Sequence, residues 1–216
     1  MDESVTPTPY NFCDYRCDRC DERLNCRVYR EEQARLQEHY DRGEDPYDPE
    51  IFMSDLKRIF RQTETLIKHA AEQEGAMPEE EPAETPQDKP DDYVLYRQAF
   101  EYSRHTRALI RQIEAEGLPD SVREAFSDVV WHHTLIAAKA GRLVSGFIDN
   151  LRDAEAQKQE EEGTLGVMKK SIDLSRQGLE RLKSERTEHS HTISDLLEML
   201  IQIEQTIQTG IRRKVG

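Results

Sequence analysis

Apolar residues step by three and four through most of this chain, the pattern of amphipathic α-helices. Phe52, Leu56, Ile59, Thr63, Leu66 and Ala70 form a first stripe, and Leu95, Ala99, Tyr102, Thr106, Leu109 and Ile113 a second. The third and longest runs through Val122, Phe126, Val129, His133, Ile136, Ala140, Leu143 and Phe147. Leu165, Met168, Ile172, Ser175, Leu179 and Leu182 form a fourth. Ile193, Leu196, Leu200, Ile203 and Ile207 form a fifth, widened by Leu197 and Ile201. No stretch alternates with a period of two, so no sheet is expected.

Punctuation between the stripes sets their limits. Gly43 to Pro49 is a hinge in which Asp48 suits an N-cap and Pro49 the first helical position. Residues 75–92 carry four prolines and many acids with almost nothing to bury, which predicts an extended, flexible acidic linker. Gly117-Leu-Pro119 separates the second and third stripes. The polar run Arg152 to Gly163 predicts a frayed or outward extension of the third helix, and Ala140 with the small residues of Gly141 to Gly146 predicts close helix packing. A short helix is expected from about Arg23 to Tyr40. Together these predict an all-α protein. Residues 1–46 form an N-terminal module, and residues 47–216 an antiparallel bundle of about five helices.

Charge narrows the partners. The chain has 30 Lys and Arg against 44 Asp and Glu, a net charge of −14. Such a surface repels phosphate backbones and anionic lipid, so neither nucleic acid nor membrane is an expected partner. The longest apolar runs, such as Leu135 to Ala138, are far too short to span a bilayer. The opening Met-Asp-Glu-Ser-Val-Thr-Pro has neither the basic nor the apolar region of a secretory signal, which predicts a cytoplasmic protein.

The chemistry is concentrated near the N-terminus. All four cysteines, Cys13, Cys17, Cys20 and Cys26, stand within fourteen residues in the spacing C-x3-C-x2-C-x5-C. So tight a cluster asks for one shared ligand. Disulfides suit short secreted domains, and neither condition is met. Zinc wants four tetrahedral ligands, usually given as two short pairs. A cubane spreads its iron corners more widely and suits a sequential run. Ligand softness allows both, and both readings stand. Arg16, Arg19 and Arg23 between the cysteines carry the charge needed to offset thiolates, or belong to a solvated loop.

The C-x2-C-x5-C portion, Cys17, Cys20 and Cys26, resembles the end of the four-cysteine loop of endonuclease III-type DNA glycosylases. It is also similar to the last three ligands of WhiB-like regulators, with Tyr29 where their tyrosine falls. Cys13 departs from both in its x3 spacing. The resemblance covers about seventeen residues and implies a [4Fe–4S] cluster, not a family function. The first three cysteines share C-x3-C-x2-C with radical S-adenosylmethionine enzymes. Those enzymes need a β/α barrel and a free iron site, and Cys26 would close the site here.

A second candidate site lies on the helices. His133 interrupts the third stripe beside Trp131 and His132, Asp128 precedes His132 by four, and Glu101 precedes His105 by four. These five, Glu101, His105, Asp128, His132 and His133, are candidate ligands or contacts. The chain lacks the repeated Glu-x-x-His of carboxylate-bridged di-iron bundles, however, and spacing of four is also that of ordinary helix-surface contacts. Lys139 and Arg142, one to two turns on, suit an anionic ligand or salt bridges to the acidic linker. No nucleophile elbow or phosphate loop is present. The expected protein is a non-enzymatic iron–sulfur redox sensor, electron carrier or interaction protein with a protein partner. The alternative is a structural zinc module on a helical scaffold or adaptor that binds other proteins. A third reading is an enzyme with a metal inside the bundle.

Overall fold

The computed structural model describes residues 12–74, 88–149, 154–212 and 214–215. Among them it has six α-helices, one more than the five stripes predict, and no strand beyond an isolated bridge between Tyr93 and Lys214. The extra helix is the short one expected after Arg23. The chain divides into two compact units, Tyr15–Pro86 and Met1–Asp14 together with Gln87–Gly216. Most of the expected linker, residues 75–87, lies outside the described residues. Its last part is ordered: Pro90–Asp92 forms a 3-10 turn that leads into the next helix.

The larger unit holds α3 (Val94–Glu116), α4 (Arg123–Asp149), α5 (Ala154–Glu185) and α6 (Ser190–Thr209). They pack in a ring, α3 on α4, α4 on α5, α5 on α6 and α6 on α3. Short connections make consecutive helices antiparallel neighbours. Gly117, at a φ of 91°, ends α3 where a side chain would be strained. The second to fifth stripes meet in one core. Leu95, Tyr102, Ile113, Ile136, Met168, Leu179, Leu182, Ile193 and Leu200 are all closed to solvent. Inside it the hydroxyls of Tyr102 and Ser175 share a hydrogen bond of 2.5 Å, which satisfies the polar members of two apolar stripes.

Among the described glycines the tightest approach falls at Gly178, not in the Gly141–Gly146 stretch. A Cβ on Gly178 would stand 2.7 Å from the Ala125 carbonyl oxygen and 2.8 Å from Val129 Cγ2. Gly146 faces nothing within 4 Å, and Gly141 meets only the Tyr96 ring at 3.4 Å or more. The polar run after Arg152 also differs from expectation. From Ala154 it forms the first turns of α5, so this helix is 32 residues long. Polar bonds hold these turns along α4: Arg142 Nε donates to Glu160 Oε1 at 2.7 Å, and Gln157 Nε2 to the Gly146 carbonyl at 3.0 Å.

The smaller unit holds α1 (Arg27–Asp41) and α2 (Pro49–Glu74). Asp48 caps α2 as expected, its Oδ1 accepting from the Glu50 amide at 2.8 Å. Gly43, at a φ of 72°, makes the turn after α1. Polar groups join the two helices. Asp55 of α2 accepts from Arg35 at 2.7 Å and bonds His39 Nε2 at 2.8 Å, while His39 Nδ1 lies 2.7 Å from Glu44. Burial works to raise the Asp55 carboxyl, but its bonds to Arg35, His39 and Arg58 hold it far below the usual range. Leu36 is the one large apolar side chain buried among the described residues of this unit.

Candidate metal centre

The cysteines lie on short local structure rather than on long elements. Cys17–Arg19 is one 3-10 turn, closed by the Cys20 amide on the Cys17 carbonyl. A second set of turn bonds carries the chain to Cys26, whose amide donates to the Glu22 carbonyl at 3.0 Å. Cys26 is the N-cap of α1, with an extended backbone. All four thiols are half-buried and unbridged.

Tyr15 has a φ of 59°, the left-handed region that a bulky side chain rarely adopts. Such a conformation costs on the order of 1 kcal/mol and persists where the surroundings over-determine it, which is common at binding sites. The arginines gather on Asp18. Arg16, itself buried, donates to both Asp18 carboxylate oxygens at 3.1 and 3.2 Å, and Arg23 donates to the Asp18 carbonyl. The Arg16 bond leads the effects that hold the Asp18 carboxyl below its ordinary value.

Cys13 and Asp14 belong to the four-helix unit. The Asp14 carbonyl accepts from Trp131 Nε1 at 2.8 Å, and its carboxylate pairs with Lys170 at 2.7 Å. This tethers the first cysteine to α4 and α5. Lys139 of α4 is buried beside it. Burial lowers the Lys139 ammonium and Arg142 adds to that, while Cys13 and Asp14 act in the opposite direction. A buried lysine therefore lies beside the first thiol. Sequence reading flagged Lys139 as a cation but missed this tether. Contacts across more than a hundred residues leave no local spacing to read.

The five helix residues lie on two helices, Glu101 and His105 on α3 and Asp128, half-buried, with His132 and His133 on α4. Glu101 and His105 lie on the exposed face of α3, where Arg104 bonds both, at 2.6 and 2.8 Å. His132 and His133 are buried in α4. His133 Nδ1 donates to the Val130 carbonyl at 2.8 Å and, more weakly, to Val129 at 3.2 Å. Burial pushes the His133 imidazole below its ordinary value. Among the described residues, the one set of three donor atoms within 4.8 Å of one another is elsewhere: Glu116, Glu188 and His189. Arg186 already compensates that set, pairing with Glu116 and Glu188 and donating to the Gly117 carbonyl at 2.8 Å. It clamps the α3–α4 connection to the α5–α6 connection.

Cys17, Cys20 and Cys26 do not form such a set. No known protein family, characterised protein or solved structure matches this chain. No helix among the described residues is long and apolar enough to cross a membrane.

Proposed function

We propose that Cys13, Cys17, Cys20 and Cys26 hold one [4Fe–4S] cluster and that the chain is a non-enzymatic redox protein. The observation that carries this reading is their exclusive confinement to fourteen residues of a 216-residue chain. Several features of the donor set support it. The thiols are unbridged, the last caps a helix, and the first lies beside buried Lys139. Among its described residues, the unit that carries three of them has almost no apolar core, the condition under which small folds use a metal as a staple. When bound, such a cluster takes up and releases one electron. The residues of the chain hold the thiolates, offset their charge and present the loop to a protein partner. The reading assigns the protein to the reducing cytoplasm, where thiols stay available for metal. A structural zinc site on an adaptor is the second reading, favoured by the same four thiols.

Metal and sulfide analysis of protein purified without oxygen tests the first reading. Roughly four iron and four sulfide per chain, with a brown colour and absorbance near about 400 nm, are expected. One zinc and no sulfide would establish the second reading instead. Each single Cys→Ser change should lower bound metal sharply, because a three-ligand centre is open to solvent and oxidant. Full metal content in any one of these variants removes that cysteine from the site.

A further inference from the structure

Among the described residues of its own unit, nothing covers the apolar face of α2. Phe52, Met53, Ile59, Phe60, Leu66 and Ile67 are 53, 47, 45, 64, 69 and 64% exposed. They do not scatter over the helix. Phe52, Ile59 and Leu66 recur every seven residues, Met53, Phe60 and Ile67 do the same, and Leu56, Thr63 and Ala70 run between them. A period of seven held over three heptads is the seam of a left-handed coiled coil, in which a 3.5-residue repeat keeps one face on a partner helix. Lone surface apolar residues need no explanation, but a continuous stripe of this kind marks an interaction surface.

We propose that this face pairs with α2 of a second copy, antiparallel, about a two-fold axis near Arg61. The register follows from shape. Setting residues whose numbers sum to 122 opposite one another places Phe52 against Ala70, Leu56 against Leu66, and Ile59 against Thr63. Large side chains then face small ones or a matched pair, and every layer occurs twice, as an isologous interface requires. Phe60 meets its own copy near the axis. Charge agrees with the same register. Lys57 and Glu64 flank the stripe on one side, and the antiparallel arrangement brings Lys57 of each copy to Glu64 of the other. In a parallel pair this flank of one helix would face the opposite flank of its partner, and Lys57 would not meet Glu64.

Size agrees as well. Six side chains of this kind, each about half exposed, bury on the order of 500 Å² per copy when covered. Two copies with their polar flanks therefore approach the roughly 1,200–2,000 Å² of a specific interface. The apolar stripes of α3 to α6 are already used in their own core. This proposal does not depend on the nature of the metal.

Light scattering after size exclusion, on the full metal-loaded chain, tests it. Twice the chain mass is expected at micromolar concentration, falling to the monomer on dilution. Phe60→Asp should weaken the dimer about 100-fold or more, because the substitution enters the interface twice at its centre. Lys57→Glu alone should weaken it about 3- to 10-fold by opposing two carboxylates, and Lys57→Glu with Glu64→Lys should restore it. A wild-type chain that stays monomeric at about 100 μM overturns the proposal. So does a dimer that survives Phe60→Asp. A dimer that ignores the charge swap overturns the antiparallel register.

Discussion

The stripe of α3 and the stripe of α2 read alike in the sequence and differ in the fold. Leu95, Ala99, Tyr102, Thr106, Leu109 and Ile113 are each at most 1% exposed. Phe52, Ile59 and Leu66 occupy the same kind of position and are each 45% exposed or more. Periodicity reports that one face of a helix avoids water. It does not report whether the chain supplies the surface that covers it. In the four-helix unit each stripe finds two others. In the unit of α1 and α2, polar bonds around Asp55 hold the helices, and the apolar face remains on the outside.

That difference is broken most directly by separating the units. Residues 88–216 carry nearly all the buried apolar side chains and should fold alone, with helical circular dichroism and a cooperative melt. Residues 12–74 have Leu36 and little else, so without metal at low concentration they should show no cooperative transition. Metal should restore one, because binding free energy becomes folding free energy where no site pre-exists in the unfolded chain. A sharp melt of metal-free 12–74 would show that the polar clamp suffices. A disordered 88–216 would make the N-terminal residues part of the core.

Within the four-helix unit the comparison sharpens to two glycines of one helix. Gly178 is closed in by α4 backbone, which cannot yield, so Gly178→Ala should cost about 1–3 kcal/mol by overpacking. Gly166 meets nothing within 4 Å and is exposed, so Gly166→Ala should gain about 0.5–1 kcal/mol from helix propensity alone. Thermal melts of the two variants should shift in opposite directions. Equal shifts would mean that α4 and α5 lie further apart than the Gly178 contact implies.

The same cases show what was legible. Four stripes became core because 3.6-residue periodicity and tertiary burial agree there. The Asp48 cap and Pro49 start were readable because capping is local. Gly178 was not, since a close approach depends on which helix lies opposite. Of the small residues around Gly141, Ala140 is in the core and Gly141 meets the Tyr96 ring of α3, while Gly146 meets nothing within 4 Å. The polar run after Ala154 hid the start of α5, because its pairing to α4 runs through Arg142–Glu160 and Gln157–Gly146 rather than through apolar residues. The cysteines were legible as a donor set from spacing alone. The tether of Asp14 to Trp131 and Lys170 was not, for want of any local signal.

The smallest expected effect separates the two units by one proton each. His39 of α1 has both ring nitrogens on carboxylates, Nδ1 2.7 Å from Glu44, with Arg42 Nη2 also 2.8 Å from Nδ1, and Nε2 2.8 Å from Asp55. The Glu44 bond and then the Asp55 bond raise its pKa, against burial and the nearby Arg42. A raised folded pKa gives a contribution complete below the unfolded value of about 6.5 and lost as pH rises through the folded value. His133 of α4 is the reverse. Burial lowers it, with Arg107 adding to that against the bonds to Val130 and Val129. Its contribution is present above about 6.5 and lost as pH falls. The four-helix unit should therefore weaken on mild acidification, and the α1–α2 unit on mild alkalinisation. Nuclear magnetic resonance titration of the two imidazoles reads this directly, His39 above its ordinary value and His133 below it. His133→Gln should flatten the acid limb of the bundle melt, and His39→Gln the alkaline limb of the α1–α2 signal. If His39 titrates below its ordinary value, the carboxylates do not hold it as a cation, and the clamp between α1 and α2 rests on Arg35 alone.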